Sequence, residues 1–147
     1  MFRGCSSTRM DEKSRLKIPS SFRRVLEERY PGHRFYVTST TGEAAQIYPL
    51  TVWEEIEAKL QEVPNELPSK KRFLSVTSYF GSEQEADAQG RLLIPAPLRL
   101  KADLQGEVIV LGKMNFLEVW NAERQRQYLE GNPYTEADAI QLGEYGL

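Results

Sequence analysis

The sequence predicts a mainly β protein with short helices (α+β), in which two repeats fold as one unit about a pseudo-two-fold axis. Three observations predict it. The phrase DEKSRLKIPSSFR (11–23) returns as DAQGRLLIPAPLR (87–99), with six of thirteen positions identical and a constant offset of 76. The segments flanking the phrase keep the same order in both halves, as an internal duplication requires. A chain of 147 residues with 40% hydrophobic and 27% charged side chains has the make-up of a soluble globular protein and can bury a real core.

Each phrase reads as a strand ending at LKI or LLI, followed by a short helix. Pro19 and Pro95 have a fixed φ and no N–H to donate, so they close the strand and suit the opening of a helix. The first helix, SFRRVLEERY, stops before Pro31 and Gly32. Two apolar strands follow in each half, FYVTST and AQIYP in the first, EVIVLG and FLEVW in the second. Gly42 in one repeat and the run Gly112 to Asn115 in the other supply the hairpin turns between them. Each hairpin leads to a helix. Thr51 with Glu54 fits a capping box before VWEEIEAKL, and Asn121 fits a cap before AERQRQYL. The two prolines of EVPNELPSK mark the boundary between halves. The segment KKRFLSVTSYF fits a helix by spacing and a strand by its β-branched residues, and the tail fits a short capped helix. The organisation expected is repeat 1 over 1–60, a linker and helix start over 61–75, repeat 2 over 76–130, and a tail helix over 131–147.

Charge separates the halves. The net charge is −2, yet residues 1–75 hold 13 Lys and Arg against 10 Asp and Glu, while residues 76–147 hold 6 against 11. An anionic partner would therefore meet the first repeat. Arg15 lies on a loop beside Lys13 and Lys17, where a guanidinium can grip phosphates or read guanine bidentately. The equivalent places in the second repeat are Gln89 and Leu93, so that copy has lost two cations. Arg3 and Arg9 extend the basic N-terminal stretch and are further candidates for DNA contact. Asp11 with Arg15, and Asp87 with Arg91, suit turn-closing ion pairs. Pro19, Arg23, Pro95 and Arg99 complete the structural motif.

The offset of 76 also maps Ser7, Arg9 and Asp11 onto Glu83, Glu85 and Asp87, so equivalent strand faces are basic in one half and acidic in the other. Arg9 and Glu85 are the pair expected at an oligomer interface of head-to-tail type. Glu83, Glu85 and Asp87 could in principle share a hard cation, but no fourth ligand is in view, and a solvated or partner-facing acidic edge is the reading preferred. No metal or cofactor is expected. Cys5 and His33 are the only residues of their kinds and lie 28 apart, and no Gly-rich phosphate loop or Gly-x-Ser-x-Gly elbow occurs, so an enzyme is not expected. One cysteine excludes an internal disulfide framework. With no signal segment or long apolar run, a cytoplasmic protein without a membrane partner is expected.

The opening MFRG, the Asp-x-x-x-Arg spacing at Asp11 to Arg15 and Asp87 to Arg91, the following RLKIP and RLLIP, and Arg23 and Arg99 together resemble the MraZ family, over nearly the whole chain. The resemblance implies two tandem AbrB-like (SpoVT-type) repeats forming a double-split β-barrel-like unit. It further implies a nucleoid-associated transcriptional regulator that binds double-stranded DNA at short direct repeats upstream of the division and cell-wall gene cluster, and assembles with itself into a ring larger than a dimer. One residue departs from the family phrase, which usually has Gly before the Arg, as at Gly90. Here the first repeat has Ser14. The alternative is an antitoxin-like or scaffold protein using the AbrB-like fold to bind a protein partner. Such antitoxins usually carry one domain and a disordered acidic tail, whereas this chain carries two complete repeats.

Overall fold

The computed structural model describes all 147 residues. The first half supplies β1 (Cys5–Arg9), β2 (Arg15–Lys17), α1 (Ser20–Arg29), β3 (Arg34–Thr38), β4 (Ala45–Pro49), α2 (Leu50–Gln61) and α3 (Pro68–Tyr79). The second repeats the order with β5 (Ser82–Glu85), β6 (Arg91–Leu93), α4 (Ala96–Ala102), β7 (Glu107–Gly112), β8 (Leu117–Asn121), α5 (Ala122–Gly131) and α6 (Glu136–Gly143). The α+β class expected from the sequence is the class observed.

The pairing shows why two copies of one phrase are needed. Six strands form an antiparallel sheet in the order β1-β7-β8-β4-β3-β5, and β2 pairs with β6 in a separate two-stranded ribbon. Exchanging each strand for its counterpart in the other repeat turns the order of the large sheet into its own reverse and leaves the ribbon unchanged. The pseudo-two-fold axis therefore passes between β2 and β6 at the pair Leu16–Leu92, and between β4 and β8 at the pair Gln46–Glu118. Since β1 lies on β7 and β5 on β3, each repeat lends its first strand to the other. Neither half is a separate body. The two sheets share one core without hydrogen-bonding into a closed barrel.

Alternation fixes which side chains fill that core. In the ribbon, Leu16 and Leu92 are fully buried while their strand neighbours turn outward, as a period of two dictates. Ile18, Phe22, Ile94 and Leu98 continue the packing into α1 and α4, which open directly behind Pro19 and Pro95. At the N-terminus Phe2 is 2% exposed, stacked on Tyr30 and edge-on to Phe22, and its N–H donates to the Met114 carbonyl at 2.7 Å.

The ambiguous KKRFLSVTSYF is helical. Phe73 stacks on Trp53, Trp53 on Tyr36, and the Thr77 carbonyl accepts hydrogen bonds from Tyr36 and Thr38 of β3, so tertiary packing decides against a strand. The capping box at Thr51 and Glu54 is absent. The helix α2 begins two residues earlier than that box requires, at Leu50 rather than Val52, with Pro49 (φ −52°, ψ 138°) turning the chain out of β4. That places Thr51 within the first turn, where its hydroxyl no longer flanks the helix. Asn121 does cap α5, accepting from the Arg124 N–H, and Thr135 with Asp138 forms a capping box on α6.

Candidate nucleic-acid interface

The site is built from two copies of one loop. Asp11 Oδ1 accepts the backbone N–H groups of Lys13 and Arg15, both at 2.9 Å, and its Oδ2 accepts Arg15 Nε at 2.9 Å. Asp87 does the same for Gln89 and Arg91, with Nε at 2.7 Å. A single carboxylate thus closes the turn and fixes an arginine. Each guanidinium is hydrogen-bonded within the chain through Nε alone, which leaves Nη N–H groups able to donate to an outside acceptor. The loops meet across the axis: the Ile18 N–H donates to the Gly90 carbonyl at 2.9 Å, the Ile94 N–H donates to the Ser14 carbonyl at 3.2 Å, and Arg15 Nη1 comes within 3.8 Å of Asp87.

These hydrogen bonds hold both carboxyls below the ordinary aspartate value of 3.8. The backbone N–H of Arg15 or Arg91 is the largest cause, partial loss of water opposes it, and the arginine side chain and the N–H of Lys13 or Gln89 add to it. Because the folded state lowers these pKa values, the stabilisation is complete above about pH 4 and is lost as pH falls through the lowered values. Acid titration of unfolding should therefore show a destabilising limb below about pH 4, flatter in an Asp11→Asn, Asp87→Asn double variant. A limb of unchanged steepness would mean that other carboxylates dominate.

The fourth loop position requires a left-handed backbone in both copies, with φ +62° at Ser14 and +76° at Gly90. Serine is strained there, while a Cβ at Gly90 would also stand 2.9 Å from Arg23 Nε. Opposite effects are expected at equivalent positions: Ser14→Gly should stabilise by about 0.5–1 kcal/mol, and Gly90→Ala should destabilise by about 1–2 kcal/mol, read by thermal melting. Equal signs would contradict this account of the loop.

The ribbon brings together residues that were far apart in the sequence. Arg15 stands opposite Leu93, and Lys17 opposite Arg91. Lys17 and Leu93 are exposed and the two arginines are partly so, at 27% for the Arg15 side chain and 29% for Arg91. Lys13 is exposed on the adjoining loop of its own repeat, and Arg23 lies against Gly90 in the loop of the other. Arg99 is half-buried on α4. Arg3 is exposed just before β1 and Arg9 is exposed at its end, and neither stands on the β2–β6 ribbon that carries Arg15. Arg9 lies opposite Glu107. Glu83 is engaged by Arg34 at 2.7 Å and Asp87 by Arg91, which divides the three acids considered for a cation.

Sequence reading assigned Arg91 to its turn alone and did not single out Leu93 as a surface residue. The signal was the alternation in RLKI and RLLI, which turns the first and third residues of each strand outward. The pairing of the two strands across repeats was not legible.

Fold and site define a two-repeat binding protein whose duplicated loops present one composite basic ribbon. The model of the family described as "MraZ protein, putative antitoxin-like" matches residues 1–76 and 81–142. The chain is 48% identical to the transcriptional regulator MraZ of Acidobacterium capsulatum and 42% identical to that of Koribacter versatilis, each over 147 residues and the full length of both proteins. It is 32% identical to that of Pseudoalteromonas atlantica over 139 residues, covering 95% of this chain and 91% of the relative. The chain belongs to the MraZ family of transcriptional regulators and is not an enzyme. No helix is long and apolar enough to cross a membrane.

Proposed function

We propose that this chain regulates transcription by laying the β2–β6 ribbon on double-stranded DNA, with Arg15, Lys17, Lys13 and Arg91 as its cations. The observation that carries the reading is the ribbon register: in a chain of net charge −2, three cations and no carboxylate project outward from its strands. Two strands about 4.8 Å apart fit a major groove about 12 Å wide, and arginine there can pair with guanine O6 and N7. Arg3 and Arg9 reach DNA only as outlying phosphate contacts. The targets are direct repeats upstream of the division and cell-wall genes, met in the cytoplasm on the nucleoid. Footprinting on the DNA upstream of this protein's own gene, at low and high salt, tests the reading. Repeated protected blocks that fade with salt are expected, and an absence of protection at low salt would refute it.

The assembly is a ring-shaped homo-oligomer. The large sheet ends on β1 and β5, whose outer edges are unpaired and therefore open to strand addition. In a symmetric dimer of single repeats these edges would be alike; fusion has made them different. Outward residues on β1 include Arg9, while β5 presents Glu83 and Glu85, and only Glu85 is free of a partner in its own chain. An edge of one sign meeting an edge of the other is heterologous and closes into a ring when the rotation permits. Light scattering should show Arg9→Glu lowering the mass and Glu85→Arg in the same chain restoring it. Unchanged mass for the single variant would count against this pairing.

A further inference from the structure

We infer that Leu93 reads the 5-methyl group of thymine and gives the ribbon a direction on DNA. The inference rests on the DNA-binding reading above. Four side chains face outward from the ribbon in two cross-strand pairs, Arg15 with Leu93 and Lys17 with Arg91. The pseudo-two-fold axis passes through Leu16 and Leu92, so it exchanges Arg15 with Arg91 and Lys17 with Leu93. The arginines preserve the symmetry. The other pair breaks it, with a cation at one corner and an apolar side chain at the other.

Leu93 is 44% exposed, and the core beneath it is filled without its help, because Leu92 and Ile94 on either side are fully buried. An isolated exposed leucine needs no explanation. This one, however, is the only apolar side chain on the outward face of a ribbon otherwise bearing cations, and it stands in register with an arginine fixed by Asp11. Cross-strand neighbours have Cβ atoms about 4.5–5.5 Å apart, and base steps along one strand are about 3.4 Å. Arg15 and Leu93 can thus address base pairs one or two steps apart. In the major groove the apolar feature on offer is the thymine C5-methyl, and leucine has no hydrogen bond to make with any base edge. A ribbon with Lys17 at the opposite corner cannot make the same contact when turned end for end. One orientation is favoured, and the preferred sequence is not a palindrome.

Uracil supplies the test, since it keeps the groove acceptors of thymine and lacks only the methyl. The full-length oligomer is titrated against DNA from upstream of its own gene, prepared once with thymine and once with uracil throughout. For wild type, affinity should fall roughly fourfold per engaged ribbon on uracil DNA, the effect of losing one buried methyl. Leu93→Ala should bind both duplexes alike, at about the wild-type affinity for uracil DNA. Leu93→Lys, which restores the symmetric ribbon at an exposed position, should also ignore the methyl while steepening the salt dependence by about one unit per ribbon. A wild-type protein indifferent to uracil, or variants that keep the wild-type thymine-to-uracil ratio, would overturn the inference while leaving DNA binding intact. Failure of wild type to bind either duplex would remove the DNA-binding reading and this inference with it.

Discussion

Arg15→Ala is expected to lower operator affinity by roughly 1–3 kcal/mol for every ribbon engaged, if the guanidinium reads a base. The effect compounds because one chain offers few cations, and contacts of that kind alone give dissociation constants of about 10⁻⁴–10⁻⁶ M at physiological salt. An assembly that presents the ribbon to successive repeats makes later contacts intramolecular, adding a factor of about 10²–10⁴. Titrating wild type and variant against one repeat and then several separates the two contributions. Affinity that ignores the number of repeats would exclude the avidity account. Arg91→Ala is the informative companion. If Arg91 only closed its turn, affinity would stay near wild type; facing outward beside Lys17, it is expected to cause a loss in the same range as Arg15→Ala. Melting curves must first show both variants folded, since each removal leaves an aspartate that had bonded the Nε group.

The second large effect is on stability. Leu16→Ala should cost about 3–5 kcal/mol, because Leu16 is fully buried, pairs with Leu92 on the pseudo-two-fold axis, and has packing on every side. The cavity would open beneath the ribbon itself. Chemical denaturation gives the size of the loss, and DNA titration of the still-folded fraction tells whether the ribbon has loosened. A cost below about 1 kcal/mol would mean that the two repeats are not locked together at this pair. Leu92→Ala should match it, since the axis makes the two positions equivalent.

These two residues also show how far the sequence could be read. The repeated phrase, the prolines after LKI and LLI, and the alternation within each strand are local signals, and they led to the strands, the helices behind Pro19 and Pro95, and the Asp-x-x-x-Arg turns. The positive φ at Ser14 was legible because its counterpart is Gly90. Pairing between repeats is non-local. Nothing near Lys17 in the chain states that Arg91 will lie across from it, so the composite ribbon emerged only from the fold. The helix over KKRFLSVTSYF was decided by Trp53 and Tyr36, which approach from other elements. Thr51 misled for a related reason: its spacing to Glu54 suits a cap, but Pro49 had already turned the chain.

The central claim is that the outward face of β2 and β6 is the surface that touches DNA. Its most direct test is photocrosslinking of the full-length protein to DNA from upstream of its own gene, with a benzophenone side chain placed at Lys17 in one protein and at exposed Glu57 on α2 in another. The account expects a salt-sensitive crosslink from position 17 and none from position 57. Crosslinking from position 57 with a silent position 17 would contradict it.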